Sequence, residues 1–402
     1  MRSEGQGARI EEMKKYNFDE PIIRRGTNCV KWDERPEEGV IPLWVADMDF
    51  RVAPAIQRAI ERRTAQGVFG YTHVPEPYYD AIISWFSRRH QWTIEREDIL
   101  YTIGVVPAVS CAIKAMTLPG EKVLVLSPIY NCFFSCIRNN GCEVLESSLV
   151  EGGSSSYEVN WQDFEAKCAD EKTTVFLLCN PHNPGGRVWT REELEHMNDI
   201  CMKHGVRVIS DEIHGELIMP GYRFQPFAAV SEACRDNCVV CNSPSKSFNI
   251  AGLQTANVIC HDTALRRRIN RTININEVCE LNPFGPEALI AAYNESEDWI
   301  DELCQYIKGN FDTLCTFFAE RLPQLKVMPL EGTYLAWVDI RALGISSDEL
   351  TERLYQEAKV WVASGTIYSP TAGEGFIRIN MACPRALLME GLERIVKLII
   401  DN

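Results

Sequence analysis

Four short segments carry residue types that could do chemistry together. In Ser243-Pro244-Ser245-Lys246-Ser247-Phe248-Asn249 a lysine is flanked by hydroxyls. An amine of this kind forms an imine with an aldehyde, and neighbouring hydroxyls suit a phosphate; taken alone, the segment reads better as an exposed loop. Ser210-Asp211-Glu212-Ile213-His214 sets a carboxylate after an apolar run, where it could keep a pyridine nitrogen protonated or simply cap a helix. Asn180-Pro181-His182-Asn183-Pro184-Gly185-Gly186 forces a tight turn that could aim an amide at a ligand oxygen, or merely join a strand to a helix. In Gly375-Phe376-Ile377-Arg378-Ile379-Asn380 an arginine lies inside an apolar strand. Burying it is costly without an anionic partner, which a bound carboxylate or an internal salt bridge would supply.

These segments need a scaffold. Apolar runs at 122–126, 174–178, 206–209 and 239–240 read as strands and alternate with helical patterns, which predicts an α/β sandwich with a mostly parallel sheet. Residues 190–204 read as a helix with a Thr190/Glu193 capping box and Gly205 just past its end. Lys246, Asp211 and Asn183 then follow strand ends, where α/β sheets place ligands. The last hundred residues have another grain. Helix 299–321, strand 333–340, a helix opening at Ser346 with Glu349, strand 375–380 and a helix after Pro384 predict a smaller α+β domain. Residues 1–60 are expected to pack against it.

At 402 residues the chain exceeds one compact core, so two closely packed domains are expected. A net charge of −15 disfavours nucleic acid and anionic membranes as partners. Residues 1–9 are polar, and the longest apolar runs are too short for a bilayer, so a cytoplasmic location is expected. Many of the 16 cysteines sit in apolar runs and read as small buried hydrophobes rather than disulfides. Cys238-x-x-Cys241 with Cys234 reads as strand packing, since no second ligand pair follows; no metal is expected. There is no dinucleotide fingerprint, phosphate-binding Walker loop, H-E-x-x-H or G-x-S-x-G.

Asn183, Asp211, Lys246 and Arg378, in that order on an α/β scaffold, resemble the fold-type-I pyridoxal-phosphate (PLP) enzymes of the class I/II aminotransferase family, over nearly the whole chain. Further strings look like its cystathionine β-lyase or C–S lyase branch, the MalY–PatB group. They are Asn17-Phe18-Asp19, Arg24-Arg25-Gly26-Thr27-Asn28, Lys31-Trp32-Asp33, Pro42-Leu43-Trp44-Val45-Ala46-Asp47-Met48-Asp49-Phe50, Phe69-Gly70-Tyr71-Thr72 and Glu331-Gly332-Thr333-Tyr334-Leu335.

The resemblance implies an aspartate-aminotransferase-like fold, with a large PLP-binding domain at 61–295, and an N-terminal arm and small domain at 1–60 and 296–402. It implies that Lys246 holds PLP and later moves the Cα proton, that Asp211 meets the pyridine nitrogen, and that Asn183 meets the phenolic oxygen. Tyr130 would stack on the ring. The phosphate would be met by the Val105 and Val106 N–H groups, by Ser243 and Ser245, and by Tyr71 of a partner subunit in a homodimer. Arg378 would bind the substrate carboxylate, with Ala46 beside it. The implied reaction is α,β-elimination on L-cystathionine or another cysteine conjugate, giving thiol, pyruvate and ammonia. An aminotransferase would use the same residues, and a PLP-bearing regulatory protein is a more distant reading. Two departures stand out: Gly185 replaces the family's usual threonine, and Tyr368-Ser369-Pro370 replaces a usual Phe-Gly pair near the substrate mouth.

Overall fold

A computed structural model describes residues 15–35, 37–153 and 156–401; the polar residues 1–9 lie outside them. Seven strands form the central sheet: β1 Ile99–Thr102, β2 Lys122–Ser127, β3 Glu143–Ser148, β4 Thr173–Cys179, β5 Arg207–Asp211, β6 Cys238–Asn242 and β7 Ala256–Ile259. Their order is β1-β7-β6-β5-β4-β2-β3. Neighbours from β6 to β3 run parallel, and β7 alone is antiparallel to both of its neighbours.

Side chains alternate across each strand, so an all-apolar strand needs cover on both faces. Val175, Leu177 and Cys179 of β4 face a core shared with helices Val105–Met116 and Thr263–Ile275. Phe176 and Leu178 face the larger core on the other side. The same alternation separates Cys238 from Cys241 on β6, which belong to opposite cores. All sixteen cysteines are free thiols, and the C-x-x-C pair packs into two different cores from opposite faces of its strand. Among the described residues, no helix is long and apolar enough to cross a membrane.

A second sheet is antiparallel, in the order β8-β9-β11-β10: β8 Lys326–Val327, β9 Leu335–Asp339, β10 Ala363–Ser364 and β11 Phe376–Asn380. Helices Glu297–Arg321 and Arg385–Ile400 pack together beside it. The strand expected from residue 333 starts at Leu335 instead, because Thr333 has φ 72° and sends its N–H to the Leu217 carbonyl. The expected capping box at Thr190 and Glu193 is present on helix Arg191–Lys203, and Gly205 follows with φ 71°.

The N-terminal arm joins the second sheet region by pairing Ile41–Pro42 with Val360–Trp361. Charge anchors it further in. Asp49, 2% exposed, accepts Lys31 Nζ at 2.7 Å, Arg24 Nη1 at 2.8 Å and Trp32 Nε1 at 2.8 Å. Lys31 is itself buried and also donates to the Asp47 carbonyl. An ion pair withdrawn from water repays desolvation only when its remaining donors and acceptors are satisfied, as these are.

Replacing Asp49 by alanine strands the Lys31 ammonium. The expected loss is about 3–5 kcal/mol of stability, read by urea denaturation. A loss below about 1 kcal/mol, the range of an exposed pair, would show that the arm is held by other contacts.

Candidate active site

Asp211 ends strand β5, and Asn183 and Lys246 follow the carboxyl ends of its parallel neighbours β4 and β6. Their convergence is a consequence of sheet topology. Two other parts of the chain close over them. β11 brings Arg378 from the second sheet, and the loop Trp44–Asp47 comes from the N-terminal arm.

Arg378 is 4% exposed. Its Nη1 donates to Asn183 Oδ1 at 2.9 Å and its Nη2 to the Trp44 carbonyl at 2.8 Å. Its guanidinium lies 4.8 Å from the centre of the Tyr368 ring. It has no ion-pair partner among the described residues, and its buried Nε has no hydrogen-bond partner. The loop beneath is pinned by its carbonyls. Asn380 Nδ2 donates to Val45 at 2.6 Å and to Asp47 at 2.7 Å. Lys246 Nζ donates to Ala46 at 2.6 Å. Asn249, at φ 56°, ties the far end by donating to the Met48 and Phe50 carbonyls.

The half-buried Lys246 amine has its pKa lowered, first by removal from water; Arg378 adds to this, while Asp47 and Asp211 oppose it. Asp211 is buried, and burial pushes its carboxyl up to about 7 against the Ile213 N–H and the Lys246 charge. That N–H reaches Oδ1 at 3.1 Å. No cation pairs with Asp211 among the described residues.

Tyr130 precedes helix Cys132–Asn139, with its phenol pKa raised by burial and by Cys132. Val105 and Val106 open helix Val105–Met116, which has no side-chain cap. Ser243 is turned inward: its hydroxyl donates to the Thr255 carbonyl at 2.6 Å and accepts from Ser245 N at 3.0 Å, which shapes the loop carrying Lys246. Tyr71 is away from this cluster and 100% exposed. At the first departure, a side chain on Gly185 would meet the Tyr157 ring at 2.7 Å. Tyr157 is held there by Trp337 Nε1, at 2.9 Å from its hydroxyl. The second departure supplies Tyr368 against Arg378.

Two residues quoted in the sequence strings but given no role also belong to this region. His214 and Tyr334 are buried with rings 6.1 Å apart, and neither His214 Nδ1 nor the Tyr334 hydroxyl has a partner. Burial, with Lys246 and Arg378 nearby, pushes His214 down to about 3, so the imidazole is neutral. Their only signal in the sequence was polar side chains beside strand-end motifs.

The donor set fits PLP. Lys246 offers an amine, Asp211 a buried carboxylate that a pyridinium would pair, and the uncapped helix start offers N–H groups to a phosphate. The unpartnered face of Arg378 fits a carboxylate.

The raised Asp211 pKa has a definite sign. The unfolded carboxyl titrates near 3.9 and the folded one near 7. Between these values the native chain binds the extra proton, so its stability falls as pH rises through that window. Asp211→Asn removes this term. In cofactor-free protein, the stability of the variant relative to wild type should increase from pH 4 to pH 7, measured by denaturation at each pH. A constant difference would contradict the assignment.

The sequence matches the family model for aminotransferase class I and II over residues 38–395. It is 41% identical over 383 residues to cystathionine beta-lyase PatB of Bacillus subtilis (strain 168), covering 94% of this chain and 98% of that protein. It is 33% identical over 390 residues to protein MalY of Escherichia coli (strain K12), covering 96% and 99%. Among solved structures, cystalysin from Treponema denticola, which contains a pyridoxal 5′-phosphate cofactor, matches with a TM-score of 0.92 at 34% identity, covering 96% of this chain and 99% of that one. The fold is that of aspartate aminotransferase, and the chain belongs to the aminotransferase class I and II family.

Proposed function

We propose that this chain is a PLP-dependent carbon–sulfur β-lyase that converts L-cystathionine or a related L-cysteine conjugate to thiol, pyruvate and ammonia. One observation carries the lyase reading beyond the family. Arg24, Lys31, Trp32, Asp47 and Asp49, from the strings that mark the C–S lyase branch, form one network, and the loop it anchors touches Lys246 through the Ala46 carbonyl. The names of PatB and of the Staphylococcus hominis C–S lyase, 32% identical with a TM-score of 0.89, support the same reading.

Bound PLP supplies an electron sink for the charge left on Cα when its proton departs. Arg378 binds the α-carboxylate and gains the anion it otherwise lacks, which fixes the Cα–H bond toward Lys246. Lys246, with its lowered proton affinity, takes that proton as general base. The Cβ–S bond then breaks with its electron pair going to sulfur, and the remaining three-carbon unit is hydrolysed to pyruvate and ammonia. Asp211 would hold the negative charge opposite the cofactor's pyridinium, and Tyr130 and Asn183 would orient its ring. Ser245 and the Val105 and Val106 N–H groups would hold the phosphate, while Ser243 shapes the loop that carries Ser245 and Lys246.

We read the cofactor-bearing domain as 61–295 and the second as 1–60 with 296–402; helix Pro54–Ala65 crosses the junction. We also read the protein as a cytoplasmic homodimer. Tyr71, with Val68 at 67% and Phe69 at 54% exposure, forms an apolar projection suited to a second subunit's site. Sixteen free thiols suit a reducing compartment.

Incubation with L-cystathionine should release homocysteine and pyruvate in equal amounts. Lys246→Ala should lower the rate by about a thousandfold or more, the scale of a lost acid–base group with covalent attachment. Arg378→Lys should raise KM by at least about tenfold, because an ammonium cannot reproduce the fork. Transfer of the amino group to an added 2-oxo acid, without pyruvate, would replace the lyase by an aminotransferase.

A further inference from the structure

Lys246 also lines a second space. A cavity of about 620 Å³ runs outward from it between the N-terminal arm and the segment after the lysine. Val45, Phe50 and Val52 give it apolar walls, and Arg24 and Asp47 give it charge. Ala46, whose carbonyl accepts Lys246 Nζ, lines it too, so Asp47 is one residue from the group that holds the lysine.

The charge network has an inner and an outer pair. The side chains of Lys31 and Asp49 are 0% and 3% exposed, 2.7 Å apart, and serve the fold. Arg24 and Asp47, also 2.7 Å apart, are 22% and 27% exposed and edge the cavity. Arg24 is held by Asp49 and the Met48 carbonyl as well, so its position does not depend on Asp47 alone. A fixed guanidinium beside a fixed carboxylate is a dipole. Its best complement is a small zwitterion, with an ammonium toward Asp47 and a carboxylate toward Arg24. The apolar residues that line the same cavity as this dipole and Lys246 suit a short methylene chain.

We propose that Arg24 and Asp47 form a subsite for a second amino-acid end on the substrate, so that the enzyme prefers cysteine conjugates whose leaving thiol carries both an ammonium and a carboxylate. This inference rests on the lyase reading and deepens it. It assigns the part of the substrate beyond sulfur, which Arg378 and Lys246 do not touch.

The test compares four compounds that share the cleaved end: L-cystathionine, S-(3-carboxypropyl)-L-cysteine, S-(3-aminopropyl)-L-cysteine and S-propyl-L-cysteine. With wild-type holoenzyme, kcat/KM should fall about tenfold or more when either distal charge is removed, the scale of a charge-assisted hydrogen bond. Asp47→Asn should selectively compress the ratio between L-cystathionine and S-(3-carboxypropyl)-L-cysteine. A merely structural role would slow both compounds alike and leave that ratio unchanged, which would overturn the proposal. Equilibrium titration of PLP-loaded Lys246→Ala with the same four compounds reads binding without turnover. The same ranking of Kd there, with no cleavage by wild type, would sustain the subsite and sink the lyase reading. Kd values within twofold of one another would sink the subsite whatever the reaction.

Discussion

The site depends on a buried cation that the protein only half satisfies. Arg378 spans three parts of the chain. It leaves β11 of the second sheet, reaches Asn183 after β4 of the first, and reaches Trp44 in the N-terminal arm. Its partners are two neutral oxygens and the face of Tyr368, with no carboxylate ion-paired to it among the described residues. A guanidinium taken from water costs several kcal/mol that neutral acceptors offset only in part. The unmet remainder is what a substrate carboxylate would satisfy, so the contact that closes the two sheets over the arm also selects an anion.

The other ionisable groups follow the same logic. Burial disfavours charge on Asp211 and on Lys246, raising one pKa and lowering the other. His214 is kept neutral by the same surroundings. A pyridinium paired with Asp211, and an amine able to act as a base at neutral pH, are states that these environments favour. The arm adds rigidity. Its carbonyls at residues 44 to 47 are held by Arg378, Asn380, Lys246 and Lys31, so the loop over the lysine is fixed from both sheets and from the arm itself.

Much of this was legible because parallel strands put ligands at their carboxyl ends. Apolar runs followed by Asn183, Asp211 and Lys246 identified the edge, and the Thr190 cap identified a helix start. The family's fold and its branch strings carried over through the same residues. Other features were hidden for physical reasons. Strand β3 has polar and half-exposed residues at the sheet edge, and β7 contains a buried Asn257 whose amide oxygen accepts from Tyr78, 179 positions away, while its amide nitrogen donates to Asn242. The start of β9 depends on a left-handed threonine. The space that a side chain at position 185 would need is filled by Tyr157, a contact no local pattern encodes. Ser243 sits in the expected segment, yet its hydroxyl serves the loop.

The lysine that holds the cofactor can be identified directly. Borohydride reduction of the PLP-loaded protein, followed by proteolysis and mass spectrometry, fixes the pyridoxyl group to its attachment point. One modified peptide is expected, with the group on Lys246. Modification of another lysine, or none after loading with PLP, would contradict that assignment.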